Sequence, residues 1–160
     1  MASHSTIRHR VLLVLFSIAV AGAAAAAQST AATAKTPHLQ VYKSPTCGCC
    51  AKWVEHVNGA GFTSSVTNLP DVAAIKTQHG VPAELSSCHT SLVGGYVIEG
   101  HVPAEDIRRL LRERPAIVGL AAPGMPAGSP GMDVPNSPAF QVLSFDKNGR
   151  TKVFATHPAR

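Results

Sequence analysis

Aromatic residues make up only 5% of the 160-residue sequence, leaving few side chains on which nucleic-acid bases could stack. The net charge is +5, yet no basic cluster carries it; in AEDIRRLLRERP, residues 104–115, acids and bases interleave as on a solvated helix face. These two shortages exclude a nucleic-acid surface. No internal repeat of solenoid period is present, which excludes a stacked-repeat architecture. No apolar run is long enough for a comfortable bilayer span, because the best of them covers only Val11–Val20. Cysteine is scarce, and its scarcity is patterned: of four in the chain, Cys47, Cys49 and Cys50 fall within four positions and Cys88 stands alone.

What is present at the N-terminus reads as an address. Arg8 and Arg10 precede the apolar run, and AGAAAAA ends it in small residues at Ala27, which are the three parts of a secretory signal. Residues 1–27 are therefore expected to be a signal peptide cleaved after Ala27, leaving no stable membrane anchor. RHR is not a twin arginine, so export is expected in the unfolded state, with any metal loaded afterwards. Residues 28–37, QSTAATAKTP, are small and polar and read as a linker. Residues 38–160 are enough for a single domain with its own core.

Order is expected from His38. HLQVYKS alternates like a short strand, and CCAKWVEHVNGAG follows as a helix stopped by Gly59 and Gly61. FTSSVTNL is a second strand, and PDVAAIKTQHG a second helix with Pro70 near its start and Gly80 after its end. Ser91–Val93 and Tyr96–Glu99 read as paired strands around Gly94-Gly95. Pro103 opens a helix with Ile107, Leu110 and Leu111 on one face, ended by Pro115. The proline-rich segment GLAAPGMPAGSPGMDVPNSP is expected to be irregular throughout, and FQVLSFDKNGRTKVFAT to form a C-terminal β-hairpin around Asn148-Gly149. That order predicts an α/β protein of thioredoxin-like fold, a small mixed sheet flanked by helices.

In such a fold the first strand-to-helix turn carries redox chemistry, because the helix N-terminus stabilises a thiolate. Here that turn is TCGCC, and the loop before the third strand, which packs against it, carries Cys88. Four thiols are therefore expected to converge. Three chemistries compete for them. Two disulfides suit an exported chain, although adjacent cysteines seldom pair and only one of Cys49 and Cys50 can readily reach Cys88. A Cys47/Cys50 dithiol couple would make a periplasmic thiol-disulfide oxidoreductase. It leaves Cys49 beside the couple to scramble it, and the chain has histidine and threonine at 89 and 90, where such enzymes carry a cis-proline.

A metal uses all four sulfurs. One zinc ion usually draws on two separated C-x-x-C knuckles, and this chain has one; ferredoxin spacing is absent too. Soft thiolates favour Cu(I). Four thiolates on one Cu(I) would leave a large negative charge, so several bridged ions are the better electrostatic solution. Beyond Met1 the only methionines are Met125 and Met132, both Gly-flanked in PGMPAGSPGM, and thioether sulfur suits Cu(I) but hardly zinc. They are candidate ligands or a lid. His89, next to Cys88, is a further candidate ligand; His56 lies near the face of Cys49, and His101 sits in a turn before Pro103. Trp53 is expected in the core beneath the site, with Lys43 and Lys52 as solvated charges that modestly favour thiolate.

SPTCGCCAKWVEHV, SSCHTSLVGGYVIEGHVPAEDIRRLL and GLAAPGMPAGSPGM together resemble the CopG-type periplasmic proteins of bacterial copper and silver resistance. The resemblance runs from about Tyr42 to Met132 and on through the final hairpin. It implies a thioredoxin-like fold, a periplasmic location and a cysteine-bridged multinuclear copper site, in which Cys47, Cys49, Cys50 and Cys88 correspond to the cluster cysteines. Silver as an alternative ligand, and other periplasmic copper-handling or efflux proteins as partners, are expectations of the same kind. Whether such a protein sequesters copper, changes its redox state or delivers it does not follow from the resemblance.

Overall fold

The computed structural model describes residues 36–160. The signal peptide expected over residues 1–27, and the linker up to residue 35, lie outside the described residues. Among the described residues no helix is long and apolar enough to cross a membrane.

Among the described residues seven strands form one mixed sheet. Strand β1 (His38–Lys43) leads into helix α1 (Gly48–Gly59), then β2 (Thr63–Asn68), helix α2 (Ala73–Gln78), β3 (His89–Val93), β4 (Tyr96–Gly100), helix α3 (Ala104–Glu113), β5 (Gly119–Ala122), β6 (Phe140–Phe145) and β7 (Thr151–His157). The order across the sheet is β2-β1-β3-β4-β5-β6-β7. β1 runs parallel to β2 and antiparallel to β3, and β3 runs antiparallel to β4. β5 is parallel to β4 and antiparallel to β6, and β6 pairs antiparallel with β7 across a turn at Asp146–Arg150.

The two faces of the sheet follow from the period of two along each strand. Ile98 and Leu120 join Leu39, Val41, Trp53, Val57, Ile107 and Leu110 in one apolar cluster, so this face carries α1 and α3. Their neighbours Val97 and Ala121 point the other way, onto Leu85 and Phe145. In α1 the buried residues are Cys50, Trp53 and Val57, three and four positions apart, so the helix stripe facing the sheet begins with a cysteine. The same logic corrects one expectation. Lys43 is not a solvated charge: it follows Leu39 and Val41 on the inward side of β1 and is only 7% exposed.

Helix α2 is shorter than its sequence pattern, starting at Ala73 rather than near Pro70, and it buries no side chain. The larger correction is β5. The segment 119–138 was expected to be irregular, yet its first four residues form a fully buried strand between β4 and β6. The prolines begin only at Pro123, so Gly119–Ala122 is free to donate to the ladder. Gly119 is required there, since a Cβ would overlap the carbonyl oxygen of Val97.

The last strand is tied to α3. His157 Nε2 lies 2.7 Å from Asp106 Oδ2, and its ring stacks on Phe140 at 4.7 Å between centroids. The Arg109 guanidinium covers the Phe154 ring at 3.8 Å.

Gly119→Ala is expected to lower the unfolding free energy by about 1–3 kcal/mol, the usual penalty of forcing a methyl into filled space. Gly59→Ala, which meets nothing within 4 Å at the end of α1, is expected to be neutral or to stabilise by up to about 1 kcal/mol. Urea unfolding followed by the fluorescence of Trp53 measures both.

Candidate metal centre

The centre forms where β1 hands over to α1. A turn closes at Cys47 N–H, which donates to the Ser44 carbonyl at 3.2 Å, and Cys47 then occupies the N-cap of α1. Cys49 and Cys50 lie in the first helical turn. No acidic residue shares that turn and no side chain caps it, so nothing there offsets the positive end of the helix dipole. Cys50 is fully buried, while Cys47 and Cys49 are half-buried. Cys47 and Cys50 are joined in a disulfide, and Cys49 and Cys88 are free thiols. Cys49 Sγ sits 3.5 Å from Cys47 Sγ.

Cys88 arrives from the segment before β3, and that segment is held from below. Glu99, on β4 and fully buried, accepts from the Ser87 N–H at 2.6 Å and from the Thr90 hydroxyl at 2.8 Å, and it is paired with Lys76 of α2. Lys76 Nζ also donates to Thr90 Oγ1 at 3.2 Å. Gly100 lets the segment come close, because a Cβ there would collide with the Ser87 side chain. As a result the four cysteine sulfurs lie within 4.8 Å of one another. The structure thus brings together all four sulfurs singled out by the sequence.

It also adds a residue. His101 is buried, its Nε2 is 3.0 Å from Cys88 Sγ, and its Nδ1 is 2.7 Å from the Pro130 carbonyl. A carbonyl only accepts, so Nδ1 carries the proton and Nε2 turns its lone pair to the sulfur. The sequence left His101 as a turn residue, although a signal was available. Thr90 pairs with Glu99 in the β3–β4 ladder, and extending that register by two places sets Cys88 opposite His101. His89 is buried against Trp53, with 4.4 Å between ring centroids, and its Nδ1 is 3.4 Å from Cys88 Sγ. Among the described residues its Nε2 has no hydrogen-bond partner. Cys50, Cys88, His89 and His101 form a second set of donors, also within 4.8 Å of one another.

The remaining candidates sit differently. Trp53 is buried as expected, with its indole N–H donating to the Val102 carbonyl at 2.9 Å. Lys43 Nζ donates to the Ser44 carbonyl at 2.9 Å, beside the cysteine turn, whereas Lys52 is exposed. His56 is engaged elsewhere, its Nε2 accepting from the Ala104 N–H at the start of α3 at 3.2 Å. The methionine loop does reach α1: Gly131 packs so closely that a Cβ would come within 2.7 Å of the Cys49 carbonyl and 2.8 Å of the Trp53 nitrogen. Met132, the next residue, is half-buried there, while Met125 is 41% exposed.

Burial sets the protonation of the metal-free centre. It pushes the Cys88 thiol up to about 11, with the neighbouring Cys49 adding to the effect. His89 is held well below the ordinary 6.5, by burial first and then by His101, Lys76 and Lys43; burial lowers His101 too. The unfolded chain takes up these protons near pH 6.5 and the folded chain refuses them, so their contribution to stability is complete above that pH and lost below it. Unfolding free energy is expected to fall with acidification, His89 contributing up to about 1.4 kcal/mol per pH unit. His89→Gln is expected to flatten that slope in a pH series of urea midpoints.

Among curated protein sequences none matches this chain. Residues 85–132 match the family described as "Protein of unknown function, DUF411", a stretch that holds Cys88, His89, His101 and both loop methionines. Two solved structures titled copper resistance protein CopG, forms 1 and 2, superpose with TM-scores of 0.72 and 0.73 at 41% sequence identity. The matches cover 76% and 78% of this chain, and 98% and 100% of those structures. With that identity over essentially their full length, the chain belongs to the CopG family of copper resistance proteins.

Proposed function

We propose that this protein is exported to the periplasm and there binds Cu(I) through Cys47, Cys49, Cys50 and Cys88, serving copper and silver resistance by sequestering the ion or changing its redox state. The observation that carries the reading is the convergence of four sulfurs within 4.8 Å at a helix N-terminus. Soft thiolates select soft ions, the helix end favours thiolate, and bridging sulfurs would share their charge over several Cu(I) ions. A dithiol reductant opens the Cys47–Cys50 disulfide by exchange, giving two thiols here and becoming a disulfide itself, so only the reduced chain offers all four ligands. Re-forming the disulfide by exchange with a partner disulfide, which takes the two electrons and is itself reduced to two thiols, withdraws two of them and would release the ion.

The supporting scaffold is read as thioredoxin-like, residues 38–160 acting as one domain that ends in the β6–β7 hairpin. Its first four strands have the order β2-β1-β3-β4, with the sulfur chemistry at the β1–α1 turn. Membership of the copper resistance family adds support, as does the leader pattern of residues 1–27. Met125, Met132 and His89 are proposed as auxiliary ligands or as cover for the site. Other periplasmic copper-handling or efflux proteins are the proposed partners.

A second reading has its own observation. The Cys47–Cys50 disulfide, in C-x-x-C spacing at a helix start, suits a periplasmic thiol-disulfide oxidoreductase. Anaerobic titration of the reduced chain with Cu(I), against a chromophoric competitor, separates the two. The copper reading expects several ions per chain with all four thiols protected, and fewer ions in Cys88→Ser. Weak binding, together with a Cys47–Cys50 disulfide that reduces protein substrates, would favour the oxidoreductase.

A further inference from the structure

We propose that Cys88, His89 and His101, completed by Cys50 when the disulfide is open, form an imidazole–thiolate site for a divalent ion of borderline softness such as Zn2+. The site shares Cys50 and Cys88 with the four-sulfur set but does not depend on Cu(I) binding there. Three observations converge on it.

The first is geometry. In a tetrahedral zinc site with bonds of about 2.0–2.3 Å, neighbouring donor atoms stand roughly 3.3–3.8 Å apart. Cys88 Sγ lies 3.0 Å from His101 Nε2 and 3.4 Å from His89 Nδ1, with Cys50 Sγ in the same 4.8 Å cluster. Shifts of a few tenths of an ångström suffice. The second is the outer contact of His101. A ligating imidazole nearly always gives its other N–H to a carbonyl or carboxylate, and the Pro130 carbonyl fills that place. The third is His89. A thiol-to-imidazole hydrogen bond would account for Cys88 and His101 alone. It leaves His89 fully buried with Nδ1 near only that sulfur, so Nδ1 has no competing hydrogen-bond partner and is open to a metal, while Nε2 lacks a described partner in either state.

Charge decides the class of ion. Two thiolates and two neutral imidazoles exactly offset a divalent cation, so the loaded site buries no net charge, whereas a monovalent ion would leave it negative. Three of the four donors, Cys50, His89 and His101, are fully buried, against one in the four-sulfur set. The mixed site is the inner one, and imidazole donors suit zinc-like divalent ions.

The test uses Co2+ as a spectroscopic probe on the Cys47→Ser/Cys49→Ser chain. That chain cannot form the disulfide, lacks two of the four sulfurs and gains serine, a favoured residue, at the N-cap. One Co2+ per chain is expected, with the absorption of a tetrahedral thiolate site, displaceable by Zn2+. His101→Ala in that background is expected to weaken binding by more than about 100-fold, beyond the loss of an outer contact. No Co2+ binding by the folded double variant, or undiminished binding after His101→Ala, would overturn the proposal. The reduced unsubstituted chain provides a check free of substitution: on adding Zn2+, imidazole 15N shifts of His89 and His101 should report metallated nitrogens, and unchanged shifts refute ligation. Neither readout involves Cu(I), so its failure is distinguishable from failure of the copper reading.

Discussion

The carboxylate of Glu99 is the constraint on which the centre rests. It is fully buried in the sheet, and Lys76, the Ser87 N–H and the Thr90 hydroxyl all converge on it. Breaking such a buried pair by removing one partner typically costs about 3–5 kcal/mol. The three donors come from α2, the segment before β3 and β3 itself, so satisfying one carboxylate fixes three pieces of chain. Cys88, next to Ser87, inherits its position from that arrangement, and with it the distance to the α1 cysteines. Gly100 completes the fit by leaving room for Ser87.

From that placement follows a centre with an outer and an inner half. The outer half is sulfur on a helix end, partly open to solvent, and its ligand count changes with the redox state of Cys47 and Cys50. The inner half is nitrogen, walled by Trp53 and by the Pro130–Gly131 backbone. Cys50 and Cys88 belong to both halves. On the proposed reading, oxidation at the rim would change what the interior can hold and so would link thiol chemistry to metal occupancy.

Much of this was legible in the sequence because it rests on local pattern. The strand-to-helix turn, the three clustered cysteines, the buried Trp53 and the approach of Cys88 all follow from hydrophobic period and element order. Lys43 was misread although its period was visible: counting by twos from Leu39 sends it inward. His101 was undervalued because its partner is set by strand register rather than by sequence spacing, even though the Gly94-Gly95 turn contains that register. The Glu99–Lys76 pair could not be read, since two residues 23 positions apart meet only once α2 docks beside β4. Strand β5 was hidden by its prolines, which begin one residue after the strand ends. The methionines divide likewise, Met132 beside the Cys49 turn and Met125 exposed, a difference made by the path of an irregular loop.

The central claim is that the clustered sulfurs share copper. X-ray absorption at the copper edge of the reduced, Cu(I)-loaded chain tests it most directly. The account predicts a Cu(I) edge, a first shell dominated by sulfur and a short copper–copper scattering path from ions bridged by thiolate. A first shell of nitrogen or oxygen, or isolated copper with no metal–metal path, would contradict it.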